Sequence, residues 1–374
     1  MNSLRKLFGN KKNLVILWPI LVIFAKIIRY TILKKTLVDA GIGYKMLPYI
    51  VSHSSVFQLF DADTSSGAVG NAGCFFEKIN IFNLTSYEAF EVQITIVWNL
   101  IIVGMISKCK YRFNSGETLF LVLSILALNI FDFTLAKEPV QILFFVLIFY
   151  NMYYKRYKTE MYYLITSSIV IALSVVTFRN YYILLLAWTI CIFFIFHFLE
   201  EKKMTFRRII ILIIGVSCFY LAMMYAVKIL SPLTYQELIR VRTRASSATT
   251  EIKSIIGSEN LALFTLNYIL VIFRMLFPIE LIRFGAKCAI YVGVQLVISA
   301  VVIKALLNIR KLEVNERVAL YIILGFILMS GFFEPDFGSW IRHEIAIFPM
   351  FLVAGQYLNP AKNTTKKHLK NRKW

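Results

Sequence analysis

Long apolar runs, each close to the thickness of a bilayer in helical length, recur along this 374-residue chain. Apolar residues make up 59% of the sequence, whereas soluble domains hold roughly 45–50%. A run of about 20 such residues is typical of a transmembrane helix. The sequence therefore predicts an all-α, polytopic integral membrane protein that forms a single transmembrane domain over residues 1–374.

About ten of the apolar runs are candidate transmembrane helices, and short basic clusters separate many of them. Because each run is bounded by charged or turn-forming residues, its limits follow from the sequence. The predicted spans are residues 14–33, 90–106, 117–134, 138–153, 161–178, 181–199, 209–230, 287–307, 318–333 and 343–359.

The net charge of +20 predicts the orientation of the chain in the membrane. If the N-terminus is cytoplasmic and the spans alternate, most of the excess lysine and arginine falls on the inner side, as the positive-inside rule requires. Both termini are then cytoplasmic, and the basic tail 360–374 lies against membrane lipid. Residues 34–88 and 231–262 become the two long outer loops. The basic balance needs no nucleic acid as partner.

One further apolar segment, residues 262–283, does not fit this alternation. If it crossed the membrane, the basic residues that follow it would lie outside. We therefore predict a re-entrant element on the outer side, interrupted at Pro278, because broken backbone at membrane depth occurs only where it is protein-buried or lines a wet cavity. A topology with eleven spans is the alternative.

Charged residues collect at the predicted outer ends of the spans, where each has two interpretations. A charge at the bilayer centre costs about 2.5–3.5 kcal/mol on insertion scales, so such residues are candidate functional residues. Lys137 forms either a hairpin ion pair with Glu138 or part of a site. Arg179 either binds substrate or extends to the lipid headgroups. An alternating run is either an anion clamp or a solvated loop: Arg240, Arg242 and Arg244.

The segment before the last predicted span has the densest group of ionisable side chains. We expect Pro335 and Gly338 to break the helix there, so that these side chains turn towards an outer cavity. Histidine ionises near neutral pH, which suits acid–base chemistry. The group consists of Glu334, Asp336, Arg342, His343 and Glu344.

Four short segments, together with the span pattern and the large second outer loop, carry a resemblance: Ala136–Pro139, Phe178–Asn180, Arg274–Pro278 and Glu334–His343. On these features the chain resembles the Wzy-type polymerases of bacterial surface polysaccharides. The resemblance implies a GT-C-like fold in the bacterial inner membrane and an inverting, metal-independent glycosyl transfer without a cofactor. The implied substrate is an oligosaccharide on undecaprenyl pyrophosphate at the outer face. A chain-length regulator protein is the implied protein partner.

The residues fit this chemistry on physical grounds. When the lipid pyrophosphate departs, negative charge builds up, and preorganised cations stabilise it best in a water-poor site. His343 is the candidate base for the attacking hydroxyl, with Asp336 or Glu334 orienting or replacing it. Trp340 and Phe337 either stack on sugars or, as we favour, form an interface belt. The candidate substrate-binding cations are Lys137, Arg179, Arg240, Arg242, Arg244, Arg274 and Arg342.

Three other functions remain open from the sequence. They are another lipid-linked-sugar glycosyltransferase or ligase, a flippase for lipid-linked sugars, and a membrane O-acyltransferase that would also use a histidine. A flippase would need charges at midplane depth through the helix bundle, whereas the charges here gather at one predicted face. No Walker A, GxSxG, HExxH or CxxC motif occurs in the chain.

Overall fold

The computed structural model describes residues 11–33, 67–109, 115–154, 158–200, 250–252, 255–256, 261–334 and 336–355. Within these ranges every regular element is a helix. The predicted all-α class is therefore confirmed for the described part of the chain. The predicted span 209–230 and the tail 360–374 lie outside the described residues.

The longer helices follow the apolar runs of the sequence. They are, in chain order, α1 Lys11–Thr31, α2 Gly67–Lys78, α3 Tyr87–Lys108, α4 Ser115–Ala127, α5 Glu138–Tyr154, α6 Glu160–Thr177, α7 Tyr182–Glu200, α8 Leu261–Leu276, α9 Ala286–Leu307, α10 Val314–Phe333, α11 Phe337–Ile345 and α12 Phe348–Ala354. Between α4 and α5, residues Leu128–Asp132 continue as one π-helical turn. Short 3₁₀ helices at Ile279–Phe284 and Ile309–Lys311 precede α9 and α10.

Three of the described helices, α3, α6 and α10, are long and apolar enough to cross a membrane. Shorter apolar helices lie at residues 118–132, 182–197, 265–276 and 291–307. Helices of this length and composition are typical of proteins that reside in a bilayer. The structure thus supports a membrane protein, while the count of about ten spans and the cytoplasmic termini stay predictions.

Two stretches differ from the predicted boundaries. The predicted outer loop 34–88 contains helix α2, which a run of small residues builds without a long apolar stripe. The predicted last span 343–359 is wrong as a single helix, because α11 begins at Phe337 and a turn at residues 346–347 separates it from α12. Gly338 does not break the helix, since it lies in the first turn of α11. Pro335 lies outside the described residues.

Helix α8 ends at Leu276, just before Pro278, and the chain then turns into the 3₁₀ helix Ile279–Phe284. A proline cannot donate to the helical ladder and disfavours helical backbone in the residue before it, which explains the end of the helix. The predicted interruption at Pro278 is confirmed. Its re-entrant placement in the membrane stays a prediction.

The chain packs as two compact units. The first comprises residues 1–180, 300–319 and 345–374, and the second comprises residues 181–299 and 320–344. In the first unit α5 packs against α6, α12 and α3, and α1 packs against α4. Buried amides connect its helices, because Trp18 donates to Asn99 at 2.8 Å and Asn99 donates to Asn129 at 2.8 Å.

In the second unit, two glycines of α10 allow neighbouring helices to approach its backbone closely. A Cβ on Gly325 would lie 2.8 Å from Thr189 Oγ1 of α7 and 3.3 Å from the Leu185 carbonyl oxygen. A Cβ on Gly331 would lie 2.8 Å from side-chain atoms of Ile272 and Tyr268 on α8. Helix α10 is thereby held between α7 and α8, which fixes the end of α10 from which the candidate site extends.

Replacing Gly325 with alanine is expected to lower the thermal unfolding midpoint of the detergent-solubilised protein. The added methyl group would overpack the α7–α10 contact, which typically costs about 1–3 kcal/mol. Gly293 of α9 is the matched control, because a Cβ there would meet nothing within 4 Å. Gly293→Ala should leave the midpoint unchanged or raise it, since alanine is the better helix former. Equal losses in both variants would contradict the close approach.

Candidate functional site

A buried histidine–carboxylate pair lies where α10 meets α11. Glu334 follows the last residue of α10, and His343 lies on α11. His343 Nδ1 lies 2.6 Å from Glu334 Oε1, and the two residues are only 6% and 3% exposed. An ionised carboxylate at Nδ1 orients the imidazole and holds a proton on that nitrogen, so that Nε2 has the acceptor lone pair. The pair therefore has the arrangement of a general base and its orienting carboxylate.

Asp336 has a different role from Glu334. Its Oδ1 accepts from the Ser339 backbone N–H at 2.8 Å, and its Oδ2 accepts from the Ser339 hydroxyl at 2.9 Å. These contacts make Asp336 the N-cap of α11. Of the two carboxylates that the sequence proposed as partners of His343, the structure thus places Glu334 beside the ring and uses Asp336 to start the helix.

Arg342 precedes His343 on α11 and is partly exposed. Its guanidinium extends back over the first turn of the helix, where Nε donates to the Gly338 carbonyl oxygen at 3.3 Å and Nη2 donates to Ser339 Oγ at 3.4 Å. No carboxylate pairs with it among the residues that the structure describes. The Asp336 carboxylate already caps the N-terminus of α11, so an anion would bind here through the guanidinium itself. Arg342 is thus suited to bind a phosphate group.

Residues 250–251 of the second predicted outer loop contact this segment through their backbone. The Phe337 N–H donates to the Thr250 carbonyl oxygen at 3.0 Å, and Glu251 forms an isolated antiparallel bridge with Asp336. Arg240, Arg242 and Arg244 lie a few residues upstream and outside the described residues. The contact places residues 250–251 of this predicted loop beside the start of α11.

A second buried polar group consists of Glu344 on α11 and of Tyr291 and Gln295 on α9. Glu344 is fully buried, and so is Gln295, while Tyr291 is 7% exposed. Tyr291 and Gln295 are four residues apart in α9, which places them on one face of the helix. Neither residue was identified from the sequence. Polar residues at this spacing in an otherwise apolar helix are the signal that identifies them.

Arg274, a predicted pyrophosphate ligand, already has a carboxylate partner. Its Nε donates to Glu280 Oε2 at 3.0 Å and its Nη2 donates to Glu280 Oε1 at 2.6 Å. This bidentate pair closes the turn around Pro278 and neutralises the guanidinium. Arg274 is therefore better suited to hold the end of α8 than to bind substrate.

Arg179 and Lys137 lie in the first unit. Arg179 is 3% exposed, and its Nη2 lies 4.0 Å from Glu138 Oε1. The alternative in which Arg179 extends to lipid headgroups is wrong, because its side chain is buried. Lys137 is half-buried beside Glu138. Since His343 belongs to the second unit, the convergence of all these residues on one site stays a prediction.

The two aromatic residues of α11 are in the core rather than at a surface. Trp340 is fully buried and donates from Nε1 to the Met275 carbonyl oxygen at 3.1 Å. Phe337 is also buried, and its ring meets that of Tyr291 edge to face. Neither an interface belt nor a stacking platform for sugars fits this burial. Both rings instead anchor α11 against α8 and α9.

An ion network in the first unit was not identified from the sequence. Glu91 Oε1 lies 2.7 Å from Lys26 Nζ and 3.1 Å from Arg29 Nε. Arg29 also donates to Thr134 Oγ1 at 3.1 Å, and Tyr30 donates to Glu91 Oε2 at 2.7 Å. Lys26 and Arg29 are three residues apart on the first apolar run, a spacing that predicts one polar helix face.

Within the described residues, no group of three or more His, Cys, Asp or Glu side chains is arranged to hold a metal ion. Comparison of the chain with protein-family models, with curated proteins and with solved structures gives no match. The apolar helices indicate a membrane protein, and the geometry around His343 is the basis on which a function can be proposed.

Proposed function

We propose that this protein is a membrane glycosyltransferase that polymerises undecaprenyl-pyrophosphate-linked oligosaccharide units into a bacterial surface polysaccharide, either O-antigen or capsule. The observation that supports it most is the buried pair that Glu334 forms with His343. His343 lies on the same short helix as Arg342, and Arg342 has no acidic partner among the described residues. The Glu334–His343 pair supplies a general base, and Arg342 supplies a cation for the phosphate leaving group. The proposed site opens to the outer face of the inner membrane.

The chemistry follows from these roles. A sugar hydroxyl of the acceptor unit attacks the anomeric carbon of the growing chain, and its proton passes to His343 Nε2. The bond between that carbon and the pyrophosphate oxygen breaks, and its electron pair stays on the pyrophosphate. Arg342 stabilises the resulting charge. Glu334 stabilises the imidazolium that forms on His343.

Replacing Arg342 with alanine is expected to shorten the surface glycan of the host towards single repeat units while the protein level stays normal. Loss of one preorganised donor for a developing anion costs about 10²–10³ in rate. Glycan length is read by gel electrophoresis of extracted polysaccharide, next to a deletion strain. Arg310→Ala is the matched control, because Arg310 is an exposed arginine of the 3₁₀ helix before α10.

Long chains of normal abundance in Arg342→Ala would contradict the proposal. A deletion strain that keeps its chain length but fails to export repeat units would indicate a flippase. A change in ester-linked acyl groups with normal chain length would indicate an acyltransferase.

A further inference from the structure

Glu344 is a buried acid that the proposed transfer reaction does not use. The residue is 0% exposed, and neither carboxylate oxygen has a hydrogen-bond partner within the described part of the chain. An ionised carboxylate buried without donors or a counter-charge is strongly unfavourable, and buried polar groups are nearly always satisfied. A proton or a bound species must therefore compensate Glu344.

The side chains next to Glu344 are unsatisfied in the same way. Among the described residues, the Tyr291 hydroxyl and both polar atoms of the Gln295 amide lack hydrogen-bond partners. Gln295 lies within hydrogen-bonding reach of the Glu344 carboxylate, although no pair of their atoms meets strict hydrogen-bond geometry, and Tyr291 is within electrostatic reach of the same carboxylate. Three neighbouring side chains have polar atoms without hydrogen-bond partners within the described ranges. One ligand shared by all three explains this better than three unrelated unsatisfied groups.

The chemistry of this group restricts the ligand. Complete burial of Glu344 and Gln295 excludes a sugar or a lipid headgroup, which would need an open cleft. Carboxylate, amide and phenol oxygens are hard ligands that suit a hard cation. The group has a single carboxylate, so a monovalent ion neutralises it, whereas a divalent ion would leave a buried net charge.

We propose that Glu344, Gln295 and Tyr291 bind one sodium ion between α9 and α11. The Glu344 carboxylate supplies the counter-charge, and the Gln295 Oε1 and Tyr291 hydroxyl oxygens supply neutral ligands. The ion would join α9 to α11 at the residue that follows His343 in the sequence. It takes no part in glycosyl transfer, and its binding does not depend on the proposed function.

The test is the thermal unfolding of the purified, detergent-solubilised protein in sodium chloride and in choline chloride of equal ionic strength. The wild type should unfold several degrees higher in sodium, because a ligand that binds only the folded state stabilises it by mass action. Glu344→Gln keeps the shape of the side chain but removes its charge, so its midpoint should not depend on sodium. Gln295→Ala should show a reduced response.

Glu316→Gln is the matched control, since Glu316 is also buried but accepts from the Glu313 backbone N–H at 2.8 Å at the start of α10. It should respond to sodium like the wild type. Binding of ²²Na⁺ to the wild type, measured by equilibrium dialysis, gives a readout that does not require a stable variant. Equal midpoints in sodium and choline, the same sodium response in Glu344→Gln, or stabilisation by acid alone would overturn the proposal.

Discussion

Replacing His343 with alanine is expected to abolish long surface polysaccharide and to leave single repeat units attached to their lipid. General acid–base catalysis contributes about 10²–10⁴ in rate, so the loss of its base should leave too little activity for polymerisation. The Glu334 carboxylate loses its 2.6 Å partner in this variant, so protein level and thermal midpoint must be measured beside glycan length.

Two variants separate catalysis from folding in this experiment. His197→Ala replaces an exposed histidine near the end of α7 and should leave chain length unchanged. Glu334→Gln keeps a hydrogen-bond acceptor at Nδ1 but removes the charge that stabilises the imidazolium, so chains should shorten without disappearing. Normal polymerisation in a stable His343→Ala protein would remove His343 from the mechanism.

Replacing Glu91 with glutamine is expected to destabilise the first unit strongly. The variant leaves Lys26 and Arg29 without the carboxylate that they share. The loss is costly because the Arg29 and Glu91 side chains are each only 3% exposed. Breaking one partner out of a buried ion pair typically costs about 3–5 kcal/mol. The expected result is a much reduced yield of folded protein and a lower thermal midpoint in detergent.

Removing one of the two cations that Glu91→Gln leaves unpaired should partly restore the thermal stability. We expect the double variant Lys26→Met with Glu91→Gln to unfold at a higher temperature than Glu91→Gln alone, because one fewer unpaired charge is buried. Glu88→Gln is the control, since Glu88 lies in the first turn of the same helix but is exposed. A Glu91→Gln protein as stable as Glu88→Gln would contradict the role of the network.

Apolar runs predicted most helix limits to within a few residues, because charged residues or proline bound them. The predicted spans 90–106 and 138–153 correspond to helices Tyr87–Lys108 and Glu138–Tyr154. The break between α11 and α12 was not predicted, since the apolar run continues through it. The hydropathy of a segment indicates whether its residues are buried, but it does not indicate where the backbone turns within an apolar run.

The candidate site was predicted in composition but not in pairing. The sequence placed Glu334, Asp336 and His343 together, yet it did not distinguish a partner from a helix cap. That distinction depends on where α11 begins, because the residue just before the first turn becomes the cap. Likewise, the sequence did not reveal that Arg274, a predicted substrate ligand, pairs with Glu280. Glu280 lies beyond a proline turn whose geometry the sequence does not specify.

The bridge between Thr250–Glu251 and Asp336–Phe337 uses main-chain atoms, and a main-chain hydrogen bond is indifferent to side-chain identity. The predicted loop 231–262 could therefore change its side chains, and with them the sugars that the proposed polymerase would recognise, without losing this attachment beside α11. In the proposed polymerase, the residues that carry out the reaction and the residues that select the sugar could then change independently. The helix would keep the reacting groups constant, while the loop would be free to follow changes in the glycan.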